Sequence, residues 1–389
     1  MELSPRIRNL VHSPIGAAHA LLDLRVNDQP LLDLSQAAPA YPPAPVVADR
    51  IAEAAHEATS SRYAPQPGLP ALREAFAADL SAAYATTLDP GEVLITAGCN
   101  QAFCVTVSAL TEPGDSVILA SPFYFNHDMW LQVEGIHTRH LPAGSDHVPD
   151  PEQADHLIDD TTRAIVLVSP GNPTGFTIPP DRLVAFAELA RRRGIALIVD
   201  ETYRSFRPTR APAHELFEDP EWRDTVVSLH SFSKDLAIPG YRIGAVVSGP
   251  ALQVEALKIL DCVAISAPTI GQEACITGLL HAGAWRVEQS SRIADLQHRF
   301  EALMASSPGG FELVTSGAFF GWVRAGSRMD TATIVRRLVT ELDTLVIPGT
   351  AFTVDDERLL RFSYANLSPA EITELGLRLN TFNQDPPSR

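Results

Sequence analysis

Short, largely apolar runs recur through the middle of the chain, each followed by a stretch with helical spacing. They are VLITA (93–97), SVILA (116–120), AIVLV (164–168), ALIVD (196–200), VVSLH (226–230) and GAVVS (244–248). Runs that are apolar on consecutive positions read as strands buried on both faces. Such strands alternating with helices predict a mostly parallel sheet covered by helices. Ahead of them, helical patterns cover 47–59 and 71–84, separated by the Gly- and Pro-punctuated loop SRYAPQPGLP. Residues 1–47 are irregular and proline-rich, with a short helix expected after Ser13-Pro14. From about residue 285 the pattern changes. A charged helix (285–306) precedes strand-like runs at 311–314 and 319–323, then a helix (331–342), apolar runs at 345–348 and 359–364, and a last helix over 369–382. The closing QDPPSR is expected to fray. The expected architecture is α/β: a large domain (48–284) with a mostly parallel sheet, and a smaller α+β domain. The smaller domain is formed by residues 285–389 together with the N-terminal arm (1–47).

Composition narrows the partners. A chain of 389 residues, 45% apolar and 20% charged, can bury large cores and holds about two or three domains. A formal net charge of −17 argues against nucleic acid or an anionic membrane surface, but allows an anionic small molecule in a local basic pocket. Cys99, Cys104, Cys262 and Cys275 show no CxxC or metal-ligand spacing, so no disulfide framework and no metal are expected. Reduced cysteines fit a cytoplasmic location. The opening MELSPRIRNLVHSPIG has no apolar leader core, and no run reaches the roughly 18 apolar residues of a membrane helix.

Candidate chemistry stands at the ends of the expected strands, where ligands of such sheets lie. Thr96-Ala97-Gly98-Cys99-Asn100-Gln101 links a strand to a helix, and free amides at a helix N-terminus suit phosphate. By itself it also reads as an ordinary turn. SPGNPTG (169–175) lacks the lysine and hydroxyl of a nucleotide phosphate loop, but its two prolines would hold Asn172 rigidly. Asp200 ends a buried strand, where a carboxylate needs a cation or hydrogen bonds; a helix-capping role competes. In SLHSFSKDLAIPGYRIG (228–244), Lys234 lies in a mostly apolar stretch, where burial disfavours its charge and leaves an amine able to attack a carbonyl. Ser231, Ser233 and Arg242 suit a phosphate. A solvated loop lysine is the competing reading. A carbonyl and a phosphate on one ligand point to pyridoxal 5′-phosphate, whose aldehyde forms a Schiff base with lysine.

With these motifs in this order, the sequence resembles a fold-type I pyridoxal-phosphate enzyme of the class I/II aminotransferase family from about Leu32 to about Phe382. The resemblance rests on Asn172-Pro173-Thr174-Gly175, Asp200 with Tyr203, Ser231-Phe232-Ser233-Lys234 and Arg242. Gly317-Ala318-Phe319-Phe320 and Pro348-Gly349-Thr350-Ala351-Phe352 also fit it. It implies that Lys234 bonds the cofactor and then carries the substrate proton, and that Asp200 pairs with the pyridine nitrogen. Asn172 and Tyr203 would hydrogen-bond the ring's phenolic oxygen, and Tyr124 would stack on the ring. Gly98, Cys99, Asn100, Ser231 and Arg242 would cradle the phosphate. Tyr63 would reach the phosphate of a neighbouring subunit, which implies a homodimer with active sites at the subunit interface. Arg361 would clamp the substrate α-carboxylate, aided by Asn172 and the backbone near residue 37. The family usually has a glycine there; this chain has Ala37-Ala38 in LSQAAPAYP. Gln36, Tyr41, Asn126 and His127 are further candidates for the pocket wall.

The implied activity is transfer of an amino group between an L-amino acid and a 2-oxo acid by a ping-pong mechanism. A carbon–sulfur β-lyase or another eliminating enzyme would use the same residues, since both begin by removing the Cα proton. A cofactor-sensing regulator would need a DNA-binding extension, and no segment of that length precedes residue 13.

Overall fold

The computed structural model describes residues 1–144, 146–209, 211–355 and 357–382; the tail expected to fray lies outside them. In chain order, a proline-initiated helix (Pro14–His19) leads to a two-residue strand, β1 (Leu32–Asp33). Two helices follow, Pro45–His56 and Pro70–Tyr84. The first is shorter than the expected 47–59, because the chain breaks at Glu57 and continues as a separate turn, Ala58–Ser61.

Seven strands then build one sheet: β2 (Val93–Thr96), β3 (Ser116–Ser121), β4 (His137–Pro142), β5 (Thr162–Val168), β6 (Ala196–Asp200), β7 (Val226–Ser231) and β8 (Gly244–Val247). Their order is β2-β8-β7-β6-β5-β3-β4. The pairs from β4 through β7 are parallel, and only β8 runs against its two neighbours. Val, Ile and Leu side chains on β2, β3, β5, β6 and β7 are buried on both faces, as strands sandwiched between helix layers require. β4 has no counterpart in the expected strands. Its sequence, HTRHLP, has one fully buried apolar side chain, Leu141, and it lies at the sheet edge with only β3 beside it.

The helix Gly283–Met304 leads into β9 (Phe311–Gly317), β10 (Phe320–Ala325), β11 (Thr344–Leu345), β12 (Ile347–Pro348) and β13 (Leu359–Phe362). Four of these form an antiparallel sheet ordered β12-β13-β10-β9, while β11 pairs in parallel with β1 of the arm. The helix Pro369–Thr381 closes the described chain and buries Ile372, Leu375 and Leu379.

Sheet direction positions the site. β2, β3, β5, β6 and β7 all end at one edge of the large sheet. Antiparallel β8 begins at that edge, so Arg242, just ahead of it, joins the residues that follow the other strands. Beneath this edge, Arg286 on Gly283–Met304 bridges two carboxylates. Nη1 meets Asp79 Oδ1 at 2.7 Å and Nη2 meets Asp235 Oδ2 at 2.7 Å. All three side chains are largely buried, and Asp79 also pairs with Arg204. Asp235 follows Lys234 directly, so this bridge ties the lysine turn to two helices. Removing one member of a buried ion pair leaves the other charge unmatched. Arg286→Ala is therefore expected to destabilise the fold by about 3–5 kcal/mol, read as a lower urea midpoint. A loss under about 1 kcal/mol would mean that the bridge is solvated and contributes as a surface pair does.

Candidate active site

The strand ends surround a cavity of about 390 Å³. Lys234 enters it from the short helix Phe232–Asp235, which is capped by the Ser231 hydroxyl accepting from the Ser233 N–H at 3.2 Å. The Lys234 ammonium donates to the carbonyl of Ala37, on the arm. Burial, and then the positive charges of Arg242 and Arg361, pull it down to about 8.

Asp200 ends β6 at 3% exposure, with Oδ1 accepting from the Thr202 N–H at 2.9 Å. His127 Nε2 lies 3.3 Å from Oδ2, and its ring stacks on Phe103 at 4.0 Å between centroids. Burial pushes the Asp200 carboxyl up, but the His127 hydrogen bond and charge, with Thr202, outweigh it and hold the group below the usual carboxylate range. Among the candidates for the pocket wall, His127 thus stands elsewhere: it backs Asp200 and does not line the cavity. Glu201, the next residue, turns to a different buried network. It accepts from Tyr84 Oη at 2.6 Å and Ser228 Oγ at 2.5 Å, with His214 Nε2 at 3.3 Å.

Asn172 and Arg361 meet deep in the cavity. Arg361, on β13, is 1% exposed; its Nη1 donates to Asn172 Oδ1 at 2.8 Å and its Nη2 to the Ser35 carbonyl. Phe320 and Phe352 flank the guanidinium, each with its ring centroid 5.0 Å away. Burial pulls Arg361 down to about 10, and its buried Nε has no hydrogen-bond partner among the described residues. Tyr124 and Tyr203 also line the cavity. Burial and the Asp200 charge raise Tyr124 to about 12; burial foremost holds Tyr203 well above the usual phenol range.

At the other end lie Cys99 and Asn100, opening the helix Cys99–Leu110, with Ser231 and Arg242. Gly98 does not line the cavity but makes this corner possible. Its φ is +89°, and a Cβ there would sit 2.1 Å from Arg242 Nη2, so a side chain would displace the guanidinium. Besides His127 and Gly98, Tyr63 and Tyr41 also lie away from the cavity. Tyr63 is on the surface at 78% exposure. Tyr41 is buried against Trp285 at 5.7 Å, with Arg292 over its ring, and does not form pocket wall. Ser13 and Ile15 do line the cavity, although no motif marks them.

These residues fit pyridoxal phosphate. An amine drawn down to about 8 suits an aldehyde, a carboxylate kept ionised suits a protonated ring nitrogen, and helix amides with a guanidinium suit a phosphate. The orphaned Nε of Arg361 is a donor awaiting an anionic partner.

Comparison with known proteins agrees with this chemistry. The family described as aminotransferase class I and II matches residues 29–379. An aromatic aminotransferase, ISS1, from Arabidopsis thaliana is 30% identical over 360 residues, covering 90% of this chain and 88% of that protein. An aspartate/prephenate aminotransferase from Thermus thermophilus is 29% identical over 381 residues, covering 93% and 94%. A solved structure of a Thermus thermophilus aspartate aminotransferase mutant superposes with a TM-score of 0.89 at 26% identity, covering 98% of this chain and 99% of that one.

Proposed function

Because the chain belongs to the class I and II aminotransferase family, and so is a pyridoxal-phosphate-dependent transferase of fold type I, we propose that the strand-end cavity runs transamination with Lys234 as its amine and proton carrier. The observation that carries this reading is the meeting, in one cavity, of Lys234 drawn down to about 8, ionised Asp200 and the under-bonded Arg361.

When bound, the cofactor supplies an aldehyde for the amines and a ring that takes up the electrons left at the substrate Cα. Lys234 Nζ would be the amine that bonds that aldehyde and, when free, the base positioned to take the proton from Cα. A pKa of about 8 makes the neutral amine far more accessible near physiological pH than that of an ordinary lysine, as a general base requires. Asp200 would hold the proton on the ring nitrogen, and His127 and Thr202 keep its carboxylate charged and oriented. Asn172 has its Oδ1 committed to Arg361, so its amide hydrogens are left for the ring's phenolic oxygen, together with the Tyr203 hydroxyl. Tyr124, on the cavity wall, would pack against the ring. The amides of Gly98, Cys99 and Asn100, the Ser231 hydroxyl and Arg242 hold the phosphate.

Arg361 receives the α-carboxylate of the amino acid, with Asn172 and the Ala37 backbone beside it. A carboxylate gives its buried Nε a partner and can take over donors now spent on Ser35 and Asn172. Exposed Tyr63 fits a residue that completes the phosphate site of a second subunit in a homodimer. The arm and residues from 285 onward act as one small domain, supported by the pairing of β1 with β11 and by Arg25 Nε on Asp343 at 2.6 Å. A cytoplasmic setting fits the free cysteines.

The cofactor-loaded protein mixed with single amino acids is expected to lose the visible band of its lysine-bound cofactor and to regain it when a 2-oxo acid is added. That sequence establishes amino transfer in two half-reactions. A band that persists while pyruvate and ammonia accumulate would replace this reading with β-elimination.

A further inference from the structure

A stretch of the arm, residues 33–38, touches both working side chains of the cavity through its backbone. The Ser35 carbonyl accepts from Arg361 Nη2, and the Ala37 carbonyl accepts from the Lys234 ammonium. Up to Leu34 this strap is held by backbone. The Leu34 N–H donates to the Leu345 carbonyl at 2.8 Å, and the Leu34 carbonyl accepts from the Ser363 N–H at 3.0 Å. Among the described residues, no backbone-to-backbone hydrogen bond holds 35–38.

One side chain takes over there. Asn366 ends the turn Tyr364–Asn366, just beyond the strand that carries Arg361. Its Nδ2 donates to the carbonyls of Asp33, at 3.1 Å, and of Gln36. Its Oδ1 accepts from the Ala38 N–H and from the Ser363 hydroxyl, each at 3.2 Å. A side-chain amide has two donor hydrogens and two acceptor lone pairs, so all of its capacity is used. An asparagine that only closes a turn bonds to backbone a few residues away. The strap groups bonded here lie 328 to 333 positions earlier in the chain.

These bonds fix what the strap presents to the cavity. The Ala38 N–H and the Ala37 carbonyl belong to one planar trans peptide, so they point in opposite directions. Asn366 holds one end of that plane, and Lys234 meets the other. Gln36 stands between Ser35 and Ala37, so its carbonyl, bonded to Asn366, restrains the chain between the two carbonyls in use. Each of these bonds lies within one chain.

Resting on the aminotransferase reading, we propose that Asn366 is a positioning residue for the α-carboxylate site. It fixes the strap so that the Ser35 carbonyl orients the Arg361 guanidinium and the Ala37 peptide faces the Lys234 amine. Asn366 touches neither cofactor nor substrate and acts through the strap alone.

The test compares the cofactor-loaded parent with Asn366→Asp. The shape is the same and the acceptor for Ala38 remains, but a second oxygen replaces the donor facing the Asp33 and Gln36 carbonyls. Hydrogen exchange of the strap amides, read by mass spectrometry without added amino acid, is expected to be at least about tenfold faster in the variant. The half-reaction is then run with whichever proteinogenic amino acid discharges the visible band of the parent fastest. Its half-saturating concentration is expected to rise at least about tenfold, with a smaller loss in maximal rate. Asn366→Ala, which removes all four bonds without repulsion, is expected to shift both readouts the same way and serves if the aspartate variant does not fold. A merely structural asparagine would lower the urea midpoint and leave the half-saturating concentration of the folded variant within about twofold of the parent. That result, or unchanged strap exchange, would overturn the inference while the aminotransferase reading stands. If no amino acid discharges the band of the parent, the aminotransferase reading fails and the positioning role falls with it.

Discussion

Lys234→Ala is expected to abolish the visible band of the lysine-bound cofactor and to lower kcat by at least about 10⁴-fold, the upper end of what loss of a positioned proton carrier costs. Two roles disappear together. The amine proposed to bond the cofactor is gone, and so is the proposed base for the substrate Cα. No other side chain lining the cavity can replace it. Asp200 is held ionised by His127 and Thr202, and burial keeps the Tyr124 and Tyr203 phenols protonated. Arg242 and Arg361 are donors committed at the two ends of the site. The fold is expected to survive. Lys234 makes one hydrogen bond, to the Ala37 carbonyl, and its removal relieves a buried charge. A small primary amine added to the variant should restore part of the activity, which a purely structural role for Lys234 would not produce. A retained lysine-type band in Lys234→Ala would refute the assignment. The check is an absorbance spectrum of the loaded variant beside a single-turnover assay.

Asp200→Ala is expected to keep the cofactor bound but to lower kcat by about 10³-fold, the scale for removing one preorganised electrostatic partner from a buried site. The carboxylate matters for its charge. At 3% exposure, with His127 Nε2 at 3.3 Å and the Thr202 N–H at 2.9 Å, it stays ionised where burial alone would neutralise it. Without it, the ring nitrogen would lack the carboxylate proposed to hold its proton, and the ring would be a weaker electron sink. Asp200→Asn, which keeps the shape and both neighbours, should be nearly as slow. This variant separates charge from packing. Turnover of Asp200→Asn within about tenfold of the parent would contradict the ring-nitrogen role. Cofactor retention, measured after dialysis, distinguishes lost chemistry from lost binding.

Much of the fold was legible because burial leaves a mark on consecutive residues. VLITA, SVILA, AIVLV and ALIVD could be read as strands since a sheet covered on both faces admits no polar alternation. β4 escaped because an edge strand need not be apolar, and HTRHLP carries only Leu141 into the core. The helix expected over 47–59 ends instead at His56, and no proline or glycine marks the break at Glu57.

The candidate site divides along the same line. Lys234, Asp200, Asn172 and Arg242 sit in short motifs at strand ends, and local sequence carries those motifs whole. How these residues face one another was settled by topology. Arg242 reaches the phosphate corner because β8 alone reverses direction, and no residue near it encodes that. Asn172 meets Arg361 across 189 positions, and Arg361 reaches Ser35 across 326. Tyr41 and His127 were both candidates for the pocket wall. Helix packing takes the first into the core beside Trp285, and a hydrogen bond takes the second behind Asp200. The sequence by itself determined which chemical groups are present and which strand each one follows, since burial and turn geometry act over a few neighbouring residues. Tertiary structure alone decided the partners, the depressed Lys234 and the ionised Asp200. Electric fields and desolvation depend on what stands within a few ångströms in space, and distance along the chain does not report that.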